Sequence, residues 1–181
     1  QGGSEAVKVQ HDKGRLTLRE RIDLLLDKDS FDEIGKVAGG AEYDDEGNLL
    51  SLTPANFILG FGKIEGQDVI VGGEDFTVKG GSPNAAGLRK SVYTEDLAVK
   101  HKFPLVRLHE GGGGSVAGPS KEKKGYGGDP VFARSRFKSV AQTLKEVPVV
   151  SAALGPVAGL PASRFVGSHF RIMVKDNAQI L

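Results

Sequence analysis

Two glycine-rich turns follow short apolar segments and could bind a negatively charged oxygen through backbone groups alone. The first segment, 104–109, leads into Gly111–Gly114, and the second, 148–154, leads into GPVAG at 155–159. Because glycine has no side chain, its amide N–H can face a ligand directly. Two such amides from neighbouring loops can stabilise an oxygen that gains charge during a reaction. The pattern predicts an oxyanion hole, and the residues alone leave open the alternative that both are tight connections between strands and helices.

The glycine run does not have the residues of a nucleotide-binding loop. A Walker-type loop ends in Gly-Lys followed by Ser or Thr, whereas GGGGSVAG at 111–118 contains no lysine. A dinucleotide fingerprint requires spaced glycines that open a helix, but the segment 115–130 is polar and interrupted by proline. Both kinds of phosphate loop are therefore excluded.

Bare amides also lie beside a cation, directly after the β-like segment 75–78: Lys79, Gly80, Gly81 and Ser82. This group is either a simple turn or a contact for an anionic ligand. The basic run KEKK at 121–124 is expected to be a solvated loop, with contact to a phosphorylated ligand as the weaker alternative.

Side chains that commonly do chemistry are few, and most of the four histidines are expected to be structural: His11, His101, His109 and His169. His109 and Glu110 directly precede the first glycines, and we expect them to shape the loop rather than to transfer protons. No spacing typical of metal ligands occurs. The absence of cysteine excludes thiolate metal sites and cysteine nucleophiles, and no Gly-x-Ser-x-Gly elbow is present.

Length and composition indicate one sizeable domain with an ordinary core. The 181 residues carry a net charge of +1, which implies no general attraction to nucleic acid or membranes. The sequence has no apolar run of the ~18 residues that a membrane span requires. Glycine supplies 26 residues, about twice its usual ~7% share. The lack of cysteine fits a reducing compartment.

The elements that must position these residues alternate between short apolar strands and helices. Helices are predicted over 17–27, 84–102, 130–147 and the second half of 155–168, and strands over 57–64, 69–73, 75–78, 104–109, 148–154 and 170–176. Thr17 and Glu20 have the spacing of a capping box at the start of the first helix. The alternation predicts an α/β fold. Residues 177–181 carry no stop signal, so the last unit is expected to be cut off.

Four segments in series resemble the carboxyltransferase (β) subunits of biotin-dependent acyl-CoA carboxylases, with propionyl-CoA carboxylase as the nearest comparison. The segments are 14–35, 69–82, 111–116 and 147–162. The resemblance implies a crotonase-like spiral of ββα units. It also implies that 1–181 is most of the N-terminal carboxyltransferase domain, with 1–35 as a helical lead-in, and that the second crotonase-like domain of the family is absent here.

The resemblance further implies a reaction and the residues that support it. The carboxyl group passes from carboxybiotin, on a separate carrier domain, to the α-carbon of an acyl-CoA through a thioester enolate held by backbone amides. The residues implied for catalysis are Gly112, Gly113, Gly159 and Leu160. Those implied for contact with the substrate and its coenzyme A are Lys79, Gly80, Gly81, Ser82, Gly111 and Ala158.

Both glycine turns depart slightly from the family pattern. Members of the family typically have Ser-Gly-Gly-Ala where 110–113 reads Glu-Gly-Gly-Gly, and Gly-Pro-x-Ala-Gly-Gly where 155–160 reads Gly-Pro-Val-Ala-Gly-Leu. Leu160 keeps an amide donor, but its side chain requires an ordinary φ and narrows the space. Pro161 donates nothing and suits the start of a helix.

The resemblance implies several partners: an acyl-CoA substrate, a biotin carboxylase and biotin carrier subunit, and further copies of the chain through the carboxyltransferase domains. The biotin-side hole of the family comes from the C-terminal domain of another subunit, so this polypeptide alone is expected to be inactive. No metal, nucleic acid or membrane is implied. The expected compartment is the cytoplasm, or the mitochondrial matrix if the source is eukaryotic.

Two alternatives remain open at this point. A different crotonase-fold enzyme, such as a hydratase, isomerase or decarboxylase, requires acidic catalysts near the holes, and Glu110 is the one candidate beside the first loop. A non-catalytic scaffold is the second alternative, in which Leu160 and Pro161 mark a degraded site.

Overall fold

The computed structural model describes residues 1–82, 84–112 and 136–181 of the chain. The helices are α1 Ser4–Asp12, α2 Leu18–Leu25, α3 Ala85–His101, α4 Arg136–Glu146 and α5 Leu160–Val166. The strands are β1 Asp32–Glu33, β2 Gly39–Tyr43, β3 Leu49–Pro54, β4 Phe57–Ile64, β5 Gln67–Glu74, β6 Leu105–Gly111, β7 Val149–Val157, β8 Phe170–Met173 and β9 Gln179–Ile180.

One mixed sheet organises the described residues, in the order β1-β4-β5-β6-β7-β8, and β9 also pairs with β7. β4 is antiparallel to β1 and β5, whereas β5, β6, β7 and β8 pair in parallel. β2 and β3 form a separate antiparallel hairpin. Because β5, β6 and β7 run parallel, their carboxyl ends meet at one edge of the sheet, where the glycine-rich segments follow.

Two faces of the sheet are covered by different helices, and the alternation along β5 shows this. Val69 and Val71 belong to the apolar cluster that contains α2, whereas Ile70 belongs to the cluster that contains α3. α2 starts as predicted, because Thr17 accepts a hydrogen bond from the Glu20 amide and the Glu20 side chain accepts one from the Thr17 amide. The predicted helix over 84–102 is confirmed as α3, which Asn84 caps.

The sequence-based elements differ from the structure in several places. The strand predicted over 75–78 is wrong, because the Asp75 carboxylate accepts hydrogen bonds from the amide and hydroxyl of Thr77, at 3.0 and 2.6 Å, and closes a turn. β7 continues through Val157 instead of ending at residue 154. The β2–β3 hairpin was not predicted, and α1 was covered only by the helical lead-in over 1–35 that the resemblance implied. The first part of the helix predicted over 130–147 lies outside the described residues.

Polar side chains link β5, β6 and β7 inside the sheet. Oε2 of Glu74 lies 3.0 Å from Nδ1 of His109, and Nε2 of His109 lies 3.4 Å from the hydroxyl of Ser151. All three side chains are buried. Burial raises the pKa of Glu74, but the charge and hydrogen bond of His109 and the charge of Arg164 outweigh it and hold that pKa below its ordinary 4.5.

The lowered pKa of Glu74 predicts how the stability of the domain depends on pH. A carboxyl group with a depressed pKa stabilises the fold above its unfolded-state pKa and loses this contribution as the pH falls through its folded-state pKa. We expect Glu74→Gln to lower the free energy of unfolding by about 3–5 kcal/mol at neutral pH, because His109 loses its buried partner. Urea unfolding measured from pH 7 downwards should show this difference shrinking below pH 4.5.

The matched control is Glu146→Gln, which removes the exposed ion pair of Glu146 with Lys102. Solvent screens that pair, so its loss should change stability little at any pH. A Glu74→Gln deficit that stays constant or grows as the pH falls would contradict the assignment of an ionised, paired Glu74.

Candidate active site

The segments that the sequence singled out converge at the carboxyl ends of β5 and β6. The carbonyl oxygen of Gly80 accepts a hydrogen bond from the amide of Gly112, at 3.3 Å. A Cβ atom on Gly81 would lie 2.7 Å from Cα of Gly111, so the two backbones approach to a distance that only glycine allows. The turn after β5 therefore lies directly on the first glycine-rich turn.

The turn after β5 has an unusual backbone. Lys79, Gly80 and Gly81 have φ values of 52, 62 and 70°, all in the left-handed region. Lysine rarely adopts this conformation, and such strained residues cluster at functional sites. The turn is held by Asn56, whose side-chain nitrogen donates to the carbonyl of Ser82 at 2.6 Å. Asn56 was missed in the sequence analysis, since no pattern distinguishes it from other loop asparagines.

The second glycine-rich turn joins the first through one backbone hydrogen bond. The amide of Ala158 donates to the carbonyl of Gly111 at 3.1 Å. Gly159 has a φ of 67°, which requires glycine, and Leu160 begins α5. Within residues 1–82, 84–112 and 136–181, no acceptor binds the amides of Gly159 and Leu160, as expected where a helix starts.

The predicted site residues therefore differ in whether their backbone amides are already hydrogen-bonded. The amide of Gly112 is engaged by Gly80, and that of Ser82 by the carbonyl of Lys79 at 3.2 Å. Gly113 and the basic run at 121–124 lie outside the described residues. In the described part of the second turn, the amides of Gly159 and Leu160 have no acceptor and can face a ligand.

A small, mostly apolar cavity lies between the second turn and the sheet. Its volume is about 20 Å³, room for about one water molecule, and its wall includes Gly81, Leu160, Pro161, Glu74 and Arg164. Leu160 forms part of the wall. Glu74 is the acidic group of this wall, and its pairing with His109 removes it as a free acid or base.

A buried carboxylate in α3 ties both glycine-rich turns to the scaffold. Oε1 of Glu95 accepts hydrogen bonds from Arg107 in β6, at 2.6 Å, and from Arg164 in α5, at 2.8 Å. Burial lowers the pKa of Arg107 to about 10, so the guanidinium remains charged at neutral pH. Sequence reasoning missed this group because a charged residue on a helix is normally read as solvent-facing.

A groove with two cations opens beside the turn after β5. Its volume is about 320 Å³, and it separates the β2–β3 hairpin from the start of α3. Lys79 and Arg89 supply positive charge, and among the described residues neither forms an ion pair. The rest of the wall consists of Gly39, Gly40, Ala41, Glu42, Thr53, Asn84, Ala85 and Ala86. Such a groove suits an anionic ligand, and Arg89 was not identified from the sequence.

The described part of the chain lacks the features of a metal site and of a membrane span. It contains no group of three or more His, Asp or Glu side chains that could hold a metal ion. None of its helices is long and apolar enough to cross a membrane.

Known proteins share both the sequence pattern and the architecture. The family described as the carboxyl transferase domain matches residues 9–181. The propionyl-CoA carboxylase β chain of Roseobacter denitrificans is 34% identical over 179 residues, which cover 98% of this chain and 33% of that relative. The chain therefore spans about a third of the length of this curated relative.

Two solved structures agree with the sequence match. A single-chain, multi-domain long-chain acyl-CoA carboxylase is similar over 93% of this chain and 17% of its own, with a TM-score of 0.74 and 27% identity. The transcarboxylase 12S hexamer with bound methylmalonyl-coenzyme A is similar over 95% of this chain and 32% of its own, with a TM-score of 0.71 and 27% identity.

These likenesses confirm the predicted crotonase-like carboxyltransferase fold. They also confirm the resemblance to acyl-CoA carboxylase β subunits that four segments of the sequence carried. With a family match that spans almost the whole sequence, the chain belongs to the carboxyl transferase domain family.

Proposed function

We propose that this chain supplies the acyl-CoA half of a biotin-dependent carboxyltransferase. The observation that carries the proposal is the convergence of three backbone segments, 79–82, 111–112 and 158–160, beside a cationic groove. The amides of Gly159 and Leu160 would hold the thioester oxygen as it becomes an enolate. Gly112 would join them when substrate displaces its 3.3 Å bond to Gly80, which lies beyond the usual length for such bonds.

The division of labour in this site follows from what the chain offers. When bound, carboxybiotin on its carrier would supply the CO₂, and the biotin anion left behind would accept the α-proton of the thioester. The residues of this chain bind the coenzyme A portion, orient the thioester carbonyl and stabilise its negative charge. A site made of backbone amides fits this chemistry because no side chain has to exchange a proton at the reacting carbon.

The competing enzyme classes need an acid or base that the described residues do not leave free. Glu110 was the acidic candidate beside the first turn, but Arg21 and Arg15 bind its carboxylate on the side of the N-terminal helices. Glu74 is paired with His109. Hydration, isomerisation or decarboxylation through a carboxylate in this part of the chain is therefore disfavoured.

We also propose the partners and compartment of the full-length protein. The biotin-side hole is expected from the second domain of another copy, so activity requires a homo-oligomer and a biotin carboxylase with its carrier. The oligomeric state of the transcarboxylase 12S hexamer is consistent with this expectation. The proposed compartment is the cytoplasm, or the mitochondrial matrix in a eukaryote.

The reaction itself is the first test. Full-length protein is mixed with biotin carboxylase, biotin carrier, ATP, labelled bicarbonate and propionyl-CoA or longer and branched acyl-CoA esters. Acid-stable label should appear with at least one ester. No incorporation with any of them would exclude carboxyl transfer, and binding of coenzyme A esters without turnover would then distinguish another acyl-CoA enzyme from a scaffold, which should bind none.

The backbone role of the second turn gives a mutational prediction. Gly159→Ala places a side chain at a φ of 67° and should shift the adjacent amides, with a loss of turnover of about 10²–10³-fold. Gly47→Ala is the matched control, since Gly47 has a φ of 88° in the exposed β2–β3 connection. Equal losses in the two variants, measured as turnover per folded molecule, would contradict an oxyanion role for this turn.

The cationic groove gives a second prediction, on binding. Arg89→Glu should weaken the affinity for coenzyme A esters about tenfold or more, because a charge-assisted hydrogen bond contributes about 1.5–3 kcal/mol. Lys100→Glu makes the same charge change in an exposed residue near the other end of α3 and serves as the control. Titration calorimetry with an acyl-CoA checks both, and equal affinity in the two variants would exclude the groove as the binding site.

A further inference from the structure

The strand register shifts at the entrance to the first glycine-rich turn. His109 pairs with Ala153, but Gly111 pairs with Val157, so one residue of β6 faces three of β7. Glu110 is that residue of β6. A Cβ atom on Gly155 would lie 2.5 Å from Oε1 of Glu110, which places this carboxylate under the bulged part of β7.

The carboxylate of Glu110 is held from the other side by the N-terminal helices. Oε2 of Glu110 accepts hydrogen bonds from Nη1 of Arg21 in α2 and, at 3.3 Å, from Nε2 of Gln10 in α1. Nη1 of Arg15, in the connection between these helices, lies 3.5 Å from Oε1. The side chain of Glu110 is only 1% exposed, so these contacts are sheltered from solvent.

The same N-terminal region also contacts the turn after β5. The amide of Gly2 donates to the hydroxyl of Thr77 at 2.9 Å, two residues before Lys79. Thus the N-terminal region, through Gly2 on one side and through Gln10 and Arg21 on the other, contacts the residues that lead into two of the three converging segments. A salt bridge that only stabilised the fold would require one such contact, and it could lie anywhere in the sheet.

We infer that Glu110 is a positioning residue. Through its contacts with Arg21, Arg15 and Gln10 it couples the docking of the N-terminal helices to the geometry of the glycine-rich turns. The coupling follows from the bulge, because Glu110 is joined covalently to Gly111 and contacts Gly155 through its carboxylate. When the helices release the carboxylate, both turns lose a common anchor. This role rests on the proposed function, since it links the position of the glycine-rich turns to the rate of carboxyl transfer.

The structure offers a matched pair for the test. Arg19 lies two residues from Arg21 on α2 and donates two hydrogen bonds, at 2.8 and 3.2 Å, to the carboxylate of Glu33. Glu33 belongs to β1, which pairs only with β4 among the described strands. Removal of this pair should loosen α2 without reaching either glycine-rich turn.

The experiment compares Arg21→Met, Glu110→Gln and their double variant with Arg19→Met, Glu33→Gln and their double variant, all in the full-length protein. In the Arg21–Glu110 set, amide hydrogen exchange should become at least fivefold faster in peptides covering 105–112 and 154–160. The value of kcat for carboxyl transfer should fall about tenfold or more, and KM for the acyl-CoA should stay within about twofold, since Lys79 and Arg89 are untouched. The control set should alter neither exchange in these peptides nor kcat.

The double variant separates positioning from simple stabilisation. Removing both partners of a buried ion pair is often nearly neutral for stability, whereas removing one is not. We expect the melting temperature to recover in Arg21→Met/Glu110→Gln while kcat stays low. Recovery of kcat together with the melting temperature, unchanged exchange at 105–112 and 154–160, or losses equal to those of the control set would each overturn the inference.

The exchange measurement also keeps this inference separate from the proposed function. A wild-type protein that transfers no carboxyl group would refute the proposed function, and exchange alone would then decide whether the N-terminal helices anchor the turns. A wild type that is active, with variants whose exchange and kcat do not change, would refute the anchor and leave the proposed function intact.

Discussion

The register shift between β6 and β7 is the constraint on which the rest of the site depends. It places Gly111 opposite Val157 instead of continuing the pairing of His109 with Ala153. A parallel pair that bulges in this way bends, and the bend directs the end of β7 towards the turn that follows β6. The amide of Ala158 can then reach the carbonyl of Gly111, and the backbones of Gly81 and Gly111 can touch. These contacts leave no room for side chains, which explains why glycines accumulate here.

Buried charged side chains fix the geometry of the glycine-rich turns, which apolar packing alone would not do. The carboxylates of Glu74, Glu95 and Glu110 lie inside the protein; Glu95 and Glu110 are paired with arginines and Glu74 with His109, each from another element. Burying an ion pair contributes little net stability, but its directional hydrogen bonds discriminate against displaced arrangements. The same pairing engages the nearby carboxylates, which supports the proposal that backbone amides, rather than a free acid or base, act at this edge of the sheet.

How much could be predicted depended on whether the signal was local. The α2 capping box and the helix α3 depend on residues a few positions apart, and the sequence predicted both, whereas the cap of α3 by Asn84 was not identified. The convergence of the glycine-rich turns followed from the parallel arrangement. The Glu95 cluster, the Glu110 contacts and Arg89 depend on residues far apart in the chain, which no periodicity reveals. The strand predicted over 75–78 does not form, because the side chain of Asp75 accepts the hydrogen bond of the Thr77 amide.

Leu160 is the clearest departure from the pattern of the carboxyltransferases that the sequence resembles, and the backbone explains why it is compatible with an amide donor. The positive φ falls on Gly159, where glycine is retained. Leu160 itself is the first residue of α5. Residues other than glycine readily adopt the helical φ of this position, and its amide needs no partner within the helix. Pro161 follows at a place where its missing N–H costs nothing. Leucine at this position therefore changes the wall of the cavity. The direction of the Leu160 amide is set by the backbone of Gly159 and by the hydrogen bond through which Arg164 anchors α5.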